Sequence, residues 1–204
     1  MNPVFEMKES EEIEALLDRA EYGTLALCDG EGVPYAVPLN FVRVGKAVCF
    51  HGALKNRKMK ILEANSRASF NVTESYALID SDFSSTGGLA CPVTQFFKSV
   101  TIDGVIERVT ERNDKAAILQ AMMEKLQLKG GYRPLTDAAY DKALKATAVY
   151  RLIPTTISSK YKFGQHLPRE RFEMIMEHLQ SRGSEIDRWT VEEMRRWRED
   201  GREE

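Results

Sequence analysis

The sequence predicts a mainly β protein with helices: a small antiparallel barrel of about six strands, helices packed outside it, and a C-terminal helical extension. Three observations carry that expectation. Apolar side chains alternate at Val33, Tyr35, Val37, Leu39 and Phe41, the two-residue period of a strand with one buried face. Longer extended runs follow at 68–79, 95–109 and 148–157, the last two separated by segments rich in Ala, Leu, Met, Lys and Glu that favour helix. Beyond residue 168, apolar positions recur at helical spacing.

Taken in order, residues 10–21 read as a helix. Ser10 can cap it, acids fill its first turn, and Ile13, Leu16 and Leu17 form its apolar stripe. Gly23 breaks it, Thr24–Cys28 is a short strand, and Asp29-Gly30-Glu31-Gly32 is a turn into the strand at 33–42. A further turn at Val44-Gly45-Lys46 leads to Ala47–His51, so residues 22–51 are expected to form a three-stranded meander. Residues 54–64 favour helix. A loop holding Gly87, Gly88 and Pro92 separates the strands at 68–79 and 95–109, and Gly104 falls inside the second. Segments 111–129 and 136–146 are helix-like, and the strand at 148–157 closes the core. The tail forms two amphipathic helices, 168–181 and 190–200, with stripes of Phe172, Ile175, Met176 and Leu179, then Trp189, Met194 and Trp197. Such stripes must dock on the barrel or on a second subunit. The expected division is a barrel domain over 1–160 and a helical extension over 161–204.

Composition bounds the function. The 204 residues are 43% hydrophobic and 29% charged, which excludes a disordered chain. No apolar run approaches the roughly 20 residues of a membrane helix, so no membrane partner is expected. The opening MNPVFEMKES lacks a basic start and an apolar stretch, so no secretory signal is expected. Three cysteines without a CxxC pair indicate neither a disulfide framework nor a zinc site, and the expected location is cytoplasmic. The net charge of −2 argues against nucleic acid, and the arginines at 195, 196 and 198 are interleaved with acids as on a solvated face. His51, His166 and His178 show no metal-ligand spacing, so no metal is expected. GxSxG, GxGxxG and the Walker pattern are all missing from the sequence.

Two local features stand out. Lys55, Arg57, Lys58 and Lys60 form a basic cluster without an acid, and the first three sit in the first turn of the helix at 54–64, where the macrodipole disfavours cations. That placement suits either a bound phosphate or an ordinary solvated basic face. Pro38 lies within a good strand and cannot donate to a ladder, so that edge must be open or bulged. With Asn40 interrupting the apolar run, the edge suits either a flat polar heterocycle or a plain proline-protected border.

These pieces together resemble the FMN-binding split-barrel superfamily, which includes the pyridoxamine 5′-phosphate oxidases, and within it the 5-nitroimidazole-resistance reductase branch. The resemblance rests on Gly32-Val33-Pro34-Tyr35-Ala36-Val37-Pro38-Leu39-Asn40-Phe41, on Phe50-His51-Gly52-Ala53 followed by Arg57-Lys58, and on Lys98-Ser99-Val100 leading to Gly104. It covers about residues 5–160, and the stretch from Ser159 to Gln165 resembles the C-terminal extensions of some relatives. It implies a split antiparallel barrel. By position, Arg57 and Lys58 would grip the FMN phosphate with Lys55 as a helper. Pro38, Leu39 and Asn40 would face the isoalloxazine ring with their backbone. Phe50, His51 and Gly52 would border the ring and ribityl chain, and Ser99 would stand near the flavin.

Tyr150-Arg151-Leu152-Ile153-Pro154 is superficially similar to the C-terminal end of the true oxidases, but their tryptophan and arginine–histidine substrate motif is missing, so vitamin B6 oxidation is not expected. His51 agrees instead with the nitroimidazole-resistance branch and would donate a proton or hold the substrate. The resemblance thus implies a homodimer with two FMN at its interface. FAD is the alternative cofactor. It also implies an oxidoreductase that takes hydride from NAD(P)H and reduces a small nitroaromatic or quinone. A non-enzymatic flavin- or haem-binding protein is the alternative from a different class.

Overall fold

In a computed structural model, residues 3–83 and 89–199 are described. The expected loop glycines Gly87 and Gly88, and Asp200 at the end of the tail, lie outside the described residues. The chain divides into two compact units, one of residues 10–72 and 100–158, the other of residues 1–9, 73–99 and 159–204.

The first unit is built on a hairpin. Tyr22–Cys28 (β1) pairs antiparallel with Pro34–Asn40 (β2), Tyr22 facing Asn40 and Cys28 facing Pro34. The turn between them is fixed by Asp29, whose carboxylate accepts from the backbone N–H groups of Glu31 (3.0 Å) and Val33 (2.8 Å). The chain then departs from the expected meander. The alternating run breaks at Phe41, and Val42–Val44 (β3) pairs with Ala47–Ala53 (β4) through a turn in which Gly45 has a φ of 60°. With Arg67–Ile79 (β5), Thr94–Val109 (β6) and Thr147–Lys162 (β7), the sheet order is β2-β1-β5-β6-β7-β4-β3.

The two hairpins therefore stand at opposite margins of one sheet, and seven strands replace the expected six. Only Phe41 separates β2 from β3, so the sheet must curl to bring its margins within one residue of each other. The result is an antiparallel half-barrel. Beside Phe41, the ring of Phe70 packs edge-on at 4.9 Å, and both are fully buried. Burial of such a side chain contributes about 1.5–3 kcal/mol.

Helices Ser10–Arg19 (α1), Arg57–Ala64 (α2), Arg112–Leu126 (α3) and Asp141–Ala146 (α4) complete this unit. The segment expected as helix over 136–146 is helical only from Asp141, after a 3-10 turn at Ala138–Tyr140 capped by Asp137. Ile118 and Met122 of α3 pack with Val42, Cys49, Val109 and Val149. Gly104 is required where it stands, because a Cβ there would lie 2.1 Å from the Ile153 carbonyl oxygen. Lys125 donates to the Leu17 carbonyl (2.9 Å) with its ammonium 3.8 Å from the Phe41 ring centre, and burial pushes it down to about 8.

The second unit collects the far ends of β5, β6 and β7 with Arg169–Arg182 (α5) and Glu185–Glu199 (α6). Phe172, Ile175 and Leu179 of α5 are buried, as are Val191, Met194 and Trp197 of α6. Trp189, expected in that stripe, is 51% exposed. The fully buried Thr190 takes the inward place, its hydroxyl accepting from Ala77 N–H at 3.0 Å. At the centre is Lys98. Its ammonium bonds Glu193 Oε1 at 2.6 Å and stands 5.1–5.8 Å from the ring centres of Tyr76, Tyr161, Phe163 and Trp197. Among the described residues no helix is long and apolar enough to cross a membrane.

Candidate functional site

The site grows from the start of α2. Asn56 is its N-cap, with extended backbone (φ −159°) and Oδ1 accepting from Met59 N–H at 2.9 Å. Its amide also donates to the Ala53 carbonyl at 3.2 Å, tying the cap to the end of β4. The helix thus begins at Arg57 rather than at residue 54. Lys55, expected in the first turn, instead lies exposed ahead of the cap, while Arg57 and Lys58 are the first two helical residues with no acid beside them.

These two cations reach the two margins of the half-barrel. The Arg57 guanidinium lies 4.7 Å over the ring of Tyr35 on β2, and Lys58 Nζ lies 5.0 Å over the ring of Phe50 on β4. Lys58 is only 8% exposed. Among the described residues it has no hydrogen bond and no ion pair, and burial pushes its ammonium below the ordinary lysine range. A buried charge without a counter-charge is costly, and an anion placed there removes the cost. Gly52 leaves the space open, since a Cβ at that position would stand 3.4 Å from Lys58 Nζ and 3.5 Å from Asn56 Nδ2.

His51 sits next along β4, with Nδ1 3.1 Å from Met122 Sδ. Burial first, and the Lys58 charge second, hold its imidazole below the usual histidine value. Both causes favour the uncharged ring. With its proton on Nδ1, facing the sulfur, Nε2 is left as an acceptor. Phe50 is fully buried and stacks on Tyr150 (5.4 Å, 25°), which fixes the wall behind Lys58.

Pro38, Leu39 and Asn40 lie on β2, which ends the sheet and among the described strands pairs only with β1. Pro38, opposite Thr24, is exposed on this open edge, as its missing N–H requires. The Asn40 amide donates to the Glu21 carbonyl at 2.9 Å and so is used locally. Ser99 is half-buried on β6, in the unit that contains residues 73–99.

The structure thus brings together Phe50, Gly52, Arg57 and Lys58, with His51 alongside. Three residues that the sequence reading did not single out complete the group: Tyr35 under Arg57, Asn56 as cap and spacer, and Met122 against His51. Asn56 carried a usable signal, being a strong capping residue immediately before the basic turn. Tyr35 and Met122 carried none beyond apolar periodicity.

The chain belongs to the pyridoxamine 5′-phosphate oxidase family, whose family model matches residues 9–161. No curated protein matches the sequence. Among solved structures it is similar to the flavocytochrome Anf3 of Azotobacter vinelandii, at 26% identity over 78% of this chain and 69% of that one, with a TM-score of 0.65. It is also similar to a FAD and heme binding protein of Mycobacterium smegmatis (23% identity, 77% and 73% covered, TM-score 0.64). A third is a protein of Bacteroides thetaiotaomicron assigned to 5-nitroimidazole antibiotic resistance (19% identity, 76% and 85% covered, TM-score 0.63). The last two likenesses are of fold.

Proposed function

We propose that this chain is a flavin-binding oxidoreductase that holds FMN, with FAD the alternative, at the start of α2. The observation that carries this is Lys58: a lysine only 8% exposed, with no acidic partner among the described residues, beside Arg57 and an open Gly52. Arg57, Lys58 and Lys55 would hold the phosphate, and the free edge of β2 at Pro38–Asn40 would face the ring. Bound there, the flavin supplies two-electron redox chemistry between NAD(P)H and a small nitroaromatic or quinone. His51, uncharged, would orient the substrate by accepting a hydrogen bond at Nε2. Ser99 would contribute a hydroxyl near the flavin. The free cysteines Cys28, Cys49 and Cys91 suit a reducing cytoplasm.

We further propose a homodimer. The open margin at β2, together with exposed apolar side chains at Tyr22 and Val44, supports a self-complementary surface, and obligate dimers commonly bury about 2,000 Å² or more. Sedimentation equilibrium checks it, and a monomer of 23.2 kDa with flavin bound would overturn it.

A non-catalytic flavin or haem binder is the second reading, favoured by the 26% identity to a flavocytochrome. The absorption spectrum and mass of the co-purifying chromophore separate the two. Flavin bands bleached by NADPH and restored by a nitro substrate support the oxidoreductase. A Soret band, or a flavin inert to reductant, supports the binder.

A further inference from the structure

A basic cavity not lined by Lys58 lies between the end of β6, the start of α3 and the end of α4. Its volume is about 580 Å³, within the range of small-molecule sites. Arg108, Arg112, Lys115 and Lys145 line it, against one carboxylate, Asp141. Asp141 is already engaged, bonding Arg112 at 2.5 Å. Lys115 is 8% exposed, and its ammonium donates only to the Leu144 carbonyl at the end of α4. Burial, then the Arg108 charge, lower its proton affinity. Arg108 and Lys145 form no ion pair among the described residues. Glu63 shares a smaller adjoining cavity with Arg108, about 100 Å³, without pairing to it.

Lys115 is buried and feels the Arg108 charge, and with Lys145 three cations without carboxylate partners face one cavity, which suits a polyanion. Inorganic phosphate alone would leave most of the volume empty, while Leu144 and Val109 supply an apolar wall for an organic group. We propose that this cavity binds an organic phosphate of nucleotide size, its phosphates against Arg108, Lys115 and Lys145. This inference does not rest on the flavin reading and holds whether or not flavin binds at Lys58.

The probe is ADP, titrated calorimetrically into the full chain with adenosine as the uncharged control. ADP is expected to bind at least about tenfold more tightly than adenosine. Arg108→Gln/Lys145→Gln should weaken ADP at least about tenfold, while Arg57→Ala/Lys58→Ala leaves it unchanged. Lys115 is spared because it caps α4. Should the double variant fail to fold by circular dichroism, each single substitution carries the same test. The proposal is overturned if ADP does not bind at millimolar concentration, if adenosine binds as well, if the variants bind ADP normally, or if Arg57→Ala/Lys58→Ala weakens ADP instead.

Discussion

Lys98 and Lys58, two of the buried lysines, differ in their partners. Lys98 is 2% exposed and fully partnered, with a carboxylate at 2.6 Å and four aromatic rings around it. Lys58 is 8% exposed, with one aromatic ring and no carboxylate among the described residues. Desolvation should favour neither, so each needs a reason to persist. Lys98 carries its reason within its own unit, tying α6 to β6. Lys58 lacks one among the described residues, which makes it a place to look for a ligand.

The strongest way to break this contrast is to remove the partner of Lys98. Glu193→Ala leaves a buried ammonium and strips Trp197 Nε1 of its acceptor at 2.7 Å. A loss of about 3–5 kcal/mol is expected in urea unfolding. A loss under about 1 kcal/mol would show that the pair is not what holds Lys98 in place.

The next effect is on ligand binding. Arg57→Ala/Lys58→Ala removes two charge-assisted donors, each worth roughly 1.5–3 kcal/mol, so flavin affinity should fall by about 3 kcal/mol or more, over a hundredfold. The ligand-free protein should melt no earlier than the parent. Unchanged flavin affinity would refute the phosphate assignment.

A matched pair of substitutions sharpens the comparison. Without ligand, Lys58→Met should raise stability by about 1 kcal/mol, since an unpaired charge becomes an apolar group in the same space. Lys98→Met should lower stability, because it strands Glu193. Thermal melts of both variants decide the point, and melts that shift in the same direction would erase the distinction.

The smallest effect concerns His51. Its pKa is depressed in the folded chain, so the folded state binds fewer protons there than the unfolded state. Stability from this group is complete above the unfolded value of about 6.5 and declines as pH falls through the folded value. Burial, the larger cause, remains in Lys58→Met, so proton NMR should show His51 only partly relaxed towards its ordinary value in that variant. No movement would mean that Lys58 is not felt at the ring.

Most strands were legible because their side-chain period survives in the sequence. The break at Phe41 was not. Phe41 continues the alternation of β2 in phase and is itself buried, so nothing local marks the chain's passage to the other margin. Strand pairing is a non-local property, and the expected meander failed for that reason. Trp189 failed differently: the sequence places it in an apolar stripe with Met194 and Trp197, but the helix is turned so that Thr190 and Val191 face inward. At the site, the basic turn was legible as a breach of helix-end preference, and the cap at Asn56 was there to be seen. The rings under Arg57 and Lys58 depend on how the margins meet, which no short motif records.

The sheet order also sets a schedule for synthesis. Cys49 of β4 lies opposite Arg151 of β7, a partner roughly 100 residues later in the chain. At about 5–20 residues per second, the β3–β4 hairpin waits on the order of 5–20 s for the strand that covers it. During that interval Val48, Cys49 and Phe50, all fully buried at the end, lack the native strand β7 on the side away from β3. The nascent hairpin is therefore the segment most exposed to capture by a chaperone or by a neighbouring chain, and pairing so distant in sequence makes for slow folding.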